Sequence, residues 1–398
     1  MDPPLNIGIA GCGIGGLALA TLLARQGHRI TLHDRFAAPA PLGSGLVIQP
    51  VGLAVLKRVG IYEAAAASGS PIRRLCGRVA EGGRKVLDAG YGDAAALGIH
   101  RASLFHLLLD EAKREGAELV CDFEVRNLRA VGSKHLLVDK RGDQSGPYDL
   151  IVDAAGANSP LSPLRPQPLR YAALWATVDW PENTPLPCDH LSQQYFRATK
   201  MAGVLPVGLS PGKSRPGAAI FWSIRSDAAT AWRRRPFEAW VAEAVTFWPE
   251  FAPFLHQTRS QADFSLARYA HGSLSQPHSA RLIHIGDAAH SASPQLGQGA
   301  NMALLDALTL AEALRCFDVD SAPARYARMR HHHVAIYQAL SRVFTPLYQS
   351  DSNIAPALRD HVFAPMIRNR AAQNLLARLI SGHLVTPIRG LRLKYPEA

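Results

Sequence analysis

Cysteine is scarce and irregular in this chain. Its five cysteines, Cys12, Cys76, Cys121, Cys188 and Cys316, are odd in number and scattered, and none forms a CxxC pair. That usage argues against a disulfide framework and a zinc site, and it suits a reducing, cytoplasmic setting. Long apolar runs are also missing. No stretch reaches the roughly eighteen apolar residues of a membrane span, and no charged segment with an apolar core precedes the first strand, so neither a transmembrane helix nor secretion is expected. Acidic residues are in deficit, with 32 Asp and Glu against 43 Lys and Arg and a net charge of +11. This sign suits an anionic substrate, a nucleotide or a membrane surface. Nucleic acid is not expected as a partner, because the arginines are dispersed and no aromatics interleave with them. The run Arg233-Arg234-Arg235 ends at Pro236 and reads as a solvated face. Consecutive helical residues point about 100° apart, so His331, His332 and His333 cannot share a face and no metal site is expected. A Ser/His/Asp nucleophile set, paired carboxylates, internal repeats and low-complexity tracts are all lacking.

What remains is a globular composition, 47% hydrophobic and 19% charged over 398 residues, enough for two domains sharing an interface. Near the N-terminus a short apolar strand, Leu5 to Ala10, runs into Gly11-Cys12-Gly13-Ile14-Gly15-Gly16. Gly11, Gly13 and Gly16 form a GxGxxG, which permits a tight turn and close approach of backbone to a pyrophosphate. A helix follows, then a second strand, Arg29 to His33, ending at Asp34 at the spacing the dinucleotide fingerprint requires. Asp34 is expected to accept from ribose hydroxyls, with Arg35 near the adenine. Cys12 reads as a small filler.

Far along the chain, Leu282, Ile283 and Ile285 lead to Gly286-Asp287, and Gly297 and Gly299 precede a helix with apolar residues at Met302, Leu304, Leu305 and Leu308. The spacing predicts a strand, a carboxylate at its end, and a helix whose glycine-opened N-terminus offers backbone N–H groups to partial negative charge. A nicotinamide dehydrogenase needs only the first signal, whereas an extended flavin dinucleotide needs adenosine and pyrophosphate held at one end and ribityl and ring at the other. FAD fits both. His290 reads as a brace for this loop rather than a base.

With GCGIGG at 11–16, HRASLFHLLL from His100, and GDAAH through GQGANMALLDA, the chain resembles the single-component FAD-dependent aromatic hydroxylases, the group of p-hydroxybenzoate hydroxylase and the ubiquinone-pathway hydroxylases. The resemblance implies that Asp287 binds the ribityl chain and that Pro294, Gly297, Gly299, Ala300 and Asn301 lie along the flavin ring and its pyrimidine edge. It further implies that Arg101 holds the phosphate region, that Val125 touches the adenine through its backbone, and that Gly45, in GSGLVIQPVG, lies on the segment passing the flavin. One motif departs: in DLIVDAAGANS, Asp153 and Ala155 stand where glycine and aspartate are usual, and that aspartate is tied in the family to nicotinamide docking. DAxG versions resemble flavin reductases acting on isoprenoids.

The fold class expected is α/β: a Rossmann-like FAD-binding domain with a parallel sheet (1–70, 97–168 and 265–345), a mixed or antiparallel-sheet substrate domain (71–96 and 169–264), and a C-terminal helical segment (346–398). Strands are expected at Glu118 to Val125, Tyr171 to Trp180, Gln194 to Phe196 and Ala218 to Arg225, a helix at Ala231 to Phe247, and helix breaks at Pro346, Pro356, Pro365 and Pro387. The activity implied is an FAD-dependent monooxygenase in which NADH or NADPH reduces the flavin, dioxygen forms a flavin hydroperoxide, and a small aromatic or similarly electron-rich substrate is hydroxylated. The alternatives are an FAD-dependent reductase or dehydrogenase on a lipid-like substrate and a non-catalytic flavin-binding protein. Alternation along Ala218 to Arg225 sets Phe221 and Arg225 against Trp222 on the other face, and Tyr195, Trp222 and Arg225 are the candidate substrate contacts. The basic, leucine-bearing stretch after Phe363 is expected to pack on the flavin domain rather than lie on a membrane.

Overall fold

A computed structural model describes residues 3–38, 43–366 and 369–395. Its centre is a five-stranded parallel sheet in the order Leu282–His284, Leu150–Asp153, Asn6–Ala10, Arg29–His33, Glu118–Val120. The helix Ile14–Ala24 is apolar on nearly every face because it has no solvent face: it lies between this sheet and the helices Arg101–Arg114 and Gly299–Cys316. A Cβ on Gly15 would stand 3.2 Å from Ala303 Cβ, so glycine there sets how closely two of these helices cross.

An eight-stranded mixed sheet forms the second layer. Its order is His290–Ser291, Ser265–Ser273, Gln167–Asp179, Pro216–Arg225, Lys200–Leu209, His190–Phe196, Arg74–Val79, Lys85–Gly90. The strand pair at 74–90 therefore leaves the parallel sheet and joins this one through a parallel pairing with His190–Phe196. Alternation gives the sheet two apolar faces. Leu174, Val204, Ile220 and Trp222 point to one side, where Trp232, Phe237, Trp240 and Phe254 of the helical segment 229–255 cover them. Trp175, Phe221, Leu205 and Tyr195 point to the other, toward the half that holds the parallel sheet and the C-terminal helices.

Several boundaries differ from expectation for local reasons. The strand expected at 118–125 stops at Val120, because Asp122 adopts a left-handed conformation (φ 53°), and a new strand, Val125–Val131, starts in a separate three-stranded sheet. The helix expected at 231–247 is two, Ala229–Arg234 and Phe237–Phe247, broken at Pro236. Conversely Pro346 does not break its helix. The helix Ala322–Tyr348 runs through it, and Gln349 N–H closes the following turn on Thr345 O at 2.8 Å. Pro356 and Pro365 likewise lie inside short helical turns. No helix among the described residues is long and apolar enough to cross a membrane.

The two halves meet where the strand Gly45–Ile48 lies on the large sheet. A Cβ on Gly45 would stand 2.4 Å from Val207 Cγ1 and 2.6 Å from Ala219 Cβ. Gly45→Val is expected to lower unfolding free energy by about 1–3 kcal/mol through overpacking, read as a reduced denaturation midpoint. An unchanged midpoint would mean that this contact does not join the halves.

Candidate cofactor and active site

At the nucleotide end, Gly11 takes φ +107°, and a Cβ there would fall 2.5 Å from Ala154 O; one on Gly16 would fall 2.1 Å from Gly11 O. Only glycine lets the strand, the turn and the helix approach so closely. Gly13 has free space beside it, with nothing nearer than Ala154 O at 4.0 Å, and it caps the N-terminus of Ile14–Ala24. Asp34 stands next to this turn: Oδ2 accepts from Cys12 N–H and Oδ1 from Arg35 N–H, each at 2.7 Å. The carboxylate thus braces the glycine loop and has lone pairs left over. Arg35 is exposed. Phe123 N–H donates to Asp34 O at 2.9 Å, which draws the chain leading to Val125 alongside, while the Val125 side chain is buried with Phe123, Leu137 and Tyr148. Burial, aided by Asp34, pushes the Cys12 thiol well up, in keeping with a filler.

The second glycine-bearing loop, from Gly286 to Gly299, is built around a buried carboxylate, Asp306, that sequence reasoning missed. Asp306 Oδ2 accepts from Gly286 N–H at 2.9 Å and from His290 Nε2 at 2.6 Å, and Oδ1 from Arg330 Nε at 2.7 Å. Arg330 goes on to Pro387 O at 2.5 Å and to His333 Nδ1 at 3.1 Å, and His333 Nε2 donates to Gly382 O at 2.8 Å. Burial and then Arg330 hold His333 down to about 3, so it is the neutral member of the cluster. Burial opposes the charge on Asp306, but His290 and Arg330 overcome it and hold the carboxyl far below its ordinary value. Burial alone would lower His290; Asp306 outweighs it and holds the imidazole above 6.5. His290 is therefore a brace, as expected, and of the three consecutive histidines only His333 turns inward.

This network fixes the turn carrying Asp287. Gly286 takes φ +58°, and the Asp287 side chain is exposed, with no hydrogen-bond partner among the described residues. Burial, with a contribution from Asp306, raises its carboxyl above 3.8 against the pull of His290 and Arg101. Arg101 thus stands near enough to Asp287 to act on it electrostatically. It begins the helix Arg101–Arg114, lies against Gly43, and its N–H donates to Ser44 O at 2.8 Å.

The turn Pro294–Leu296 ends at Gly297 (φ +60°), and the helix Gly299–Cys316 follows. No acceptor among the described residues meets the N–H groups of Gly299, Ala300 or Asn301, and a Cβ on Gly299 would have nothing within 4 Å. The Asn301 side chain, however, is taken up: Oδ1 accepts from Gln49 N–H at 2.8 Å, and Nδ2 donates to Gly297 O at 2.9 Å and Val47 O at 3.3 Å. It holds the 45–52 segment in place, so its contribution to a ligand is its backbone amide. Gly45 is corrected in the same sense: its missing side chain serves the sheet contact described above. Asp153, at the departing motif, is fully engaged by Ser159 Oγ at 2.7 Å, Ala155 N–H at 3.1 Å and His284 Nδ1 at 2.8 Å, and it locks the ends of two parallel strands.

On the other face of the large sheet, Trp175 and Phe221 pack with centroids 4.6 Å apart and ring planes tilted by 37°, and Trp175 Nε1 donates to Tyr269 Oη at 2.9 Å. Trp175, Tyr269 and Tyr348 remain partly accessible on this face. Burial pushes Tyr269 and Tyr348 up to about 12, which keeps both phenols protonated at neutral pH. Tyr91 Oη donates to Gln49 Oε1 at 2.6 Å beside the turn ending at Gly297. Tyr195 lies on this face too, its ring under Arg359 and 5.3 Å from that of Tyr348. The other two substrate candidates are corrected. Trp222 packs on Trp240 and Phe247, on the opposite face of the sheet, and Arg225 is tied to Asp227 and Asp351 at an exposed strand end. Trp175 and Tyr269 were missed because alternation within one strand cannot say which face meets the cofactor half. Among the described residues no three His, Cys, Asp or Glu side chains come together to hold a metal.

A family model described as FAD binding domain matches residues 5–335. A probable 2-heptyl-3-hydroxy-4(1H)-quinolone synthase of Rhodococcus erythropolis is 26% identical over 373 residues, covering 91% of this chain and 91% of that protein. The 6-hydroxynicotinate 3-monooxygenase of Pseudomonas fluorescens is 25% identical over 353 residues, covering 79% of this chain and 84% of that protein. In fold, the chain is similar to HpxO of Klebsiella pneumoniae complexed with FAD and uric acid, with a TM-score of 0.81 at 20% identity, covering 96% of this chain and 98% of that one.

Asp306→Asn is expected to cost about 3–5 kcal/mol of stability, because it leaves Arg330 buried without its counter-charge. A cost below about 1 kcal/mol would contradict the role given to the network. The pH dependence follows from the two shifts. Asp306 is lowered, so its contribution is present above its ordinary 3.8 and is lost as pH falls through the folded value. His290 is raised, so its contribution is complete below 6.5 and is lost as pH rises through the folded value. Thermal unfolding across pH is expected to show a decline on the alkaline side of 6.5 that Asp306→Asn flattens.

Proposed function

The chain belongs to this FAD-binding family, and from that premise we propose that it is a monooxygenase using NADH or NADPH and dioxygen to hydroxylate an aromatic or similarly electron-rich small molecule. The observation that carries the reading is the pairing of two ligand-ready ends with an aromatic wall. Unbonded amides and open glycines lie at Gly13 and Gly299, Asp34 and Asp287 offer carboxylates beside them, and Trp175, Phe221 and Tyr269 line the facing sheet. The relatives are named as a quinolone synthase and a hydroxynicotinate monooxygenase, and likeness to them favours a ring substrate.

FAD fits these residues, and when bound it supplies the redox chemistry: it takes two electrons from the nicotinamide and activates dioxygen for transfer of one oxygen atom to the ring. The amides at the start of Ile14–Ala24 receive the pyrophosphate, and Asp34 accepts from the adenosine ribose, with Arg35 and the Val125 backbone beside the adenine and Arg101 near the phosphates. Asp287 accepts from the ribityl hydroxyls. The amides of Gly299, Ala300 and Asn301 would hold the flavin ring and would stabilise negative charge on it through oriented dipoles that need no reorganisation. Trp175, Phe221 and Leu205 exclude water from the reacting region, and the protonated Tyr269 and Tyr91 hydroxyls hold the geometry of that wall through their hydrogen bonds to Trp175 and Gln49.

Anaerobic NADH or NADPH is expected to bleach the yellow protein, and aerobic turnover with the right aromatic is expected to yield a hydroxylated product by mass spectrometry. Peroxide without hydroxylated product across an aromatic panel would assign an oxidase or reductase instead. Asp287→Ala is expected to reduce bound flavin per chain by about tenfold or more at limiting FAD, the loss of charge-assisted hydrogen bonds. Wild-type flavin content in that variant would remove Asp287 from the site.

A further inference from the structure

The helix Ala322–Tyr348 and the segment from Ser273 to His278 face each other across a groove of about 700 Å³ whose inner wall is the outer side of the His290 and Arg330 network. The helix presents one stripe to it, Ala324, Arg328, His331, Ala335, Gln338 and Arg342, at alternating spacings of four and three residues. Small residues in that stripe leave the space open, and cations occupy both ends. Arg328 and Arg342 are exposed and form no ion pair or hydrogen bond among the described residues, His278 closes the far wall, and no Asp or Glu lines the groove. Gln338 is 4% exposed; its Nε2 donates to Ser291 O at 3.1 Å, while its Oε1 has no partner. A buried acceptor without a donor costs free energy unless a ligand or water supplies one. The inner wall includes Ala289 and His290, so the groove backs onto the turn that carries Asp287.

We propose that this groove is the docking site of a phosphate-bearing dinucleotide, the nicotinamide electron donor, with its phosphates between Arg328, His331 and Arg342 and a ligand hydroxyl or amide donating to Gln338 Oε1. The inference rests on the reaction proposed above. Length favours a dinucleotide over a bare phosphate: Arg328 and Arg342 stand about 21 Å apart along the axis at about 1.5 Å per residue, and the groove volume lies within the range of cofactor-sized sites.

The test uses the FAD-loaded full chain and measures equilibrium binding of NAD⁺ and NADP⁺ by calorimetry, together with the donor-concentration dependence of anaerobic bleaching. In the Arg328→Glu, Arg342→Glu double variant, dinucleotide Kd and the half-saturating donor concentration are expected to rise at least about tenfold, while the limiting bleaching rate and flavin content stay near wild type. Ala335→Trp, which fills the groove without changing charge, is expected to weaken binding similarly. Kd within about twofold of wild type in both variants overturns the proposal, as does inorganic pyrophosphate competing as tightly as the dinucleotide. If wild type binds a dinucleotide through these residues but is never reduced by NADH or NADPH, the donor role and the proposed reaction fall while the groove keeps its ligand. If wild type is reduced and the variants are unaffected, the reaction stands and the groove assignment falls.

Discussion

A single carboxylate with no access to water, Asp306, organises the loop from Gly286 to Gly299 and the helices around it. Asp306 is fully buried and serves a backbone amide, an imidazole and a guanidinium at once. Each partner belongs to a different part of the chain: the Gly286 turn, the short strand at His290, and the long helix through Arg330. An uncompensated charge at such a position would be strongly destabilising, so these segments stay in register or the fold loses much of its stability. Asp287, next to Gly286, inherits its position from that constraint. Arg330 carries it further to Pro387, and His333 carries it to Gly382.

The C-terminal segment is bound into the same arrangement rather than lying apart. Gln298 Nε2 donates to Ile380 O at 2.8 Å and Tyr337 Oη to Leu379 O at 2.9 Å, while Leu379 packs with Leu296 and Met302 beside the glycine-opened helix start. The helix Arg370–Ile380 therefore covers the outside of the flavin loop with its apolar side. The large sheet closes the opposite side, and because its two faces are both apolar it separates a packed layer under the helical segment 229–255 from the aromatic wall that meets the cofactor half.

Legibility in the sequence followed the range of the interaction involved. The tight turn at Gly11 and the places of Asp34 after one strand and Asp287 after another could be read because a backbone turn and a strand end are set by neighbours a few residues away. Asp306 was present within a quoted motif and still went unread, since an acid on an apolar helix face signals a partner but does not say that His290 and Arg330 will supply it. The departing residue Asp153 looked like a gap in a motif; in the folded chain it is a fully used acceptor between Ser159, Ala155 and His284. Trp222 was singled out for its chemistry, but its neighbour in alternation, Phe221, faces the cofactor half.

By itself, then, the sequence determined the α/β class and the two glycine-bearing turns with an aspartate near each, because hydrophobic period and the freedom of glycine act locally and leave their mark in spacing. Tertiary structure alone decided which face of the eight-stranded sheet looks onto the flavin loop, what neutralises the buried Asp306, and that the Asn301 side chain holds the 45–52 segment while its amide stays free. Those outcomes depend on pairings between residues that lie up to 254 positions apart. Such pairings are selected by the requirement that every buried charge and amide find a partner once the layers close, and that requirement has no local signature.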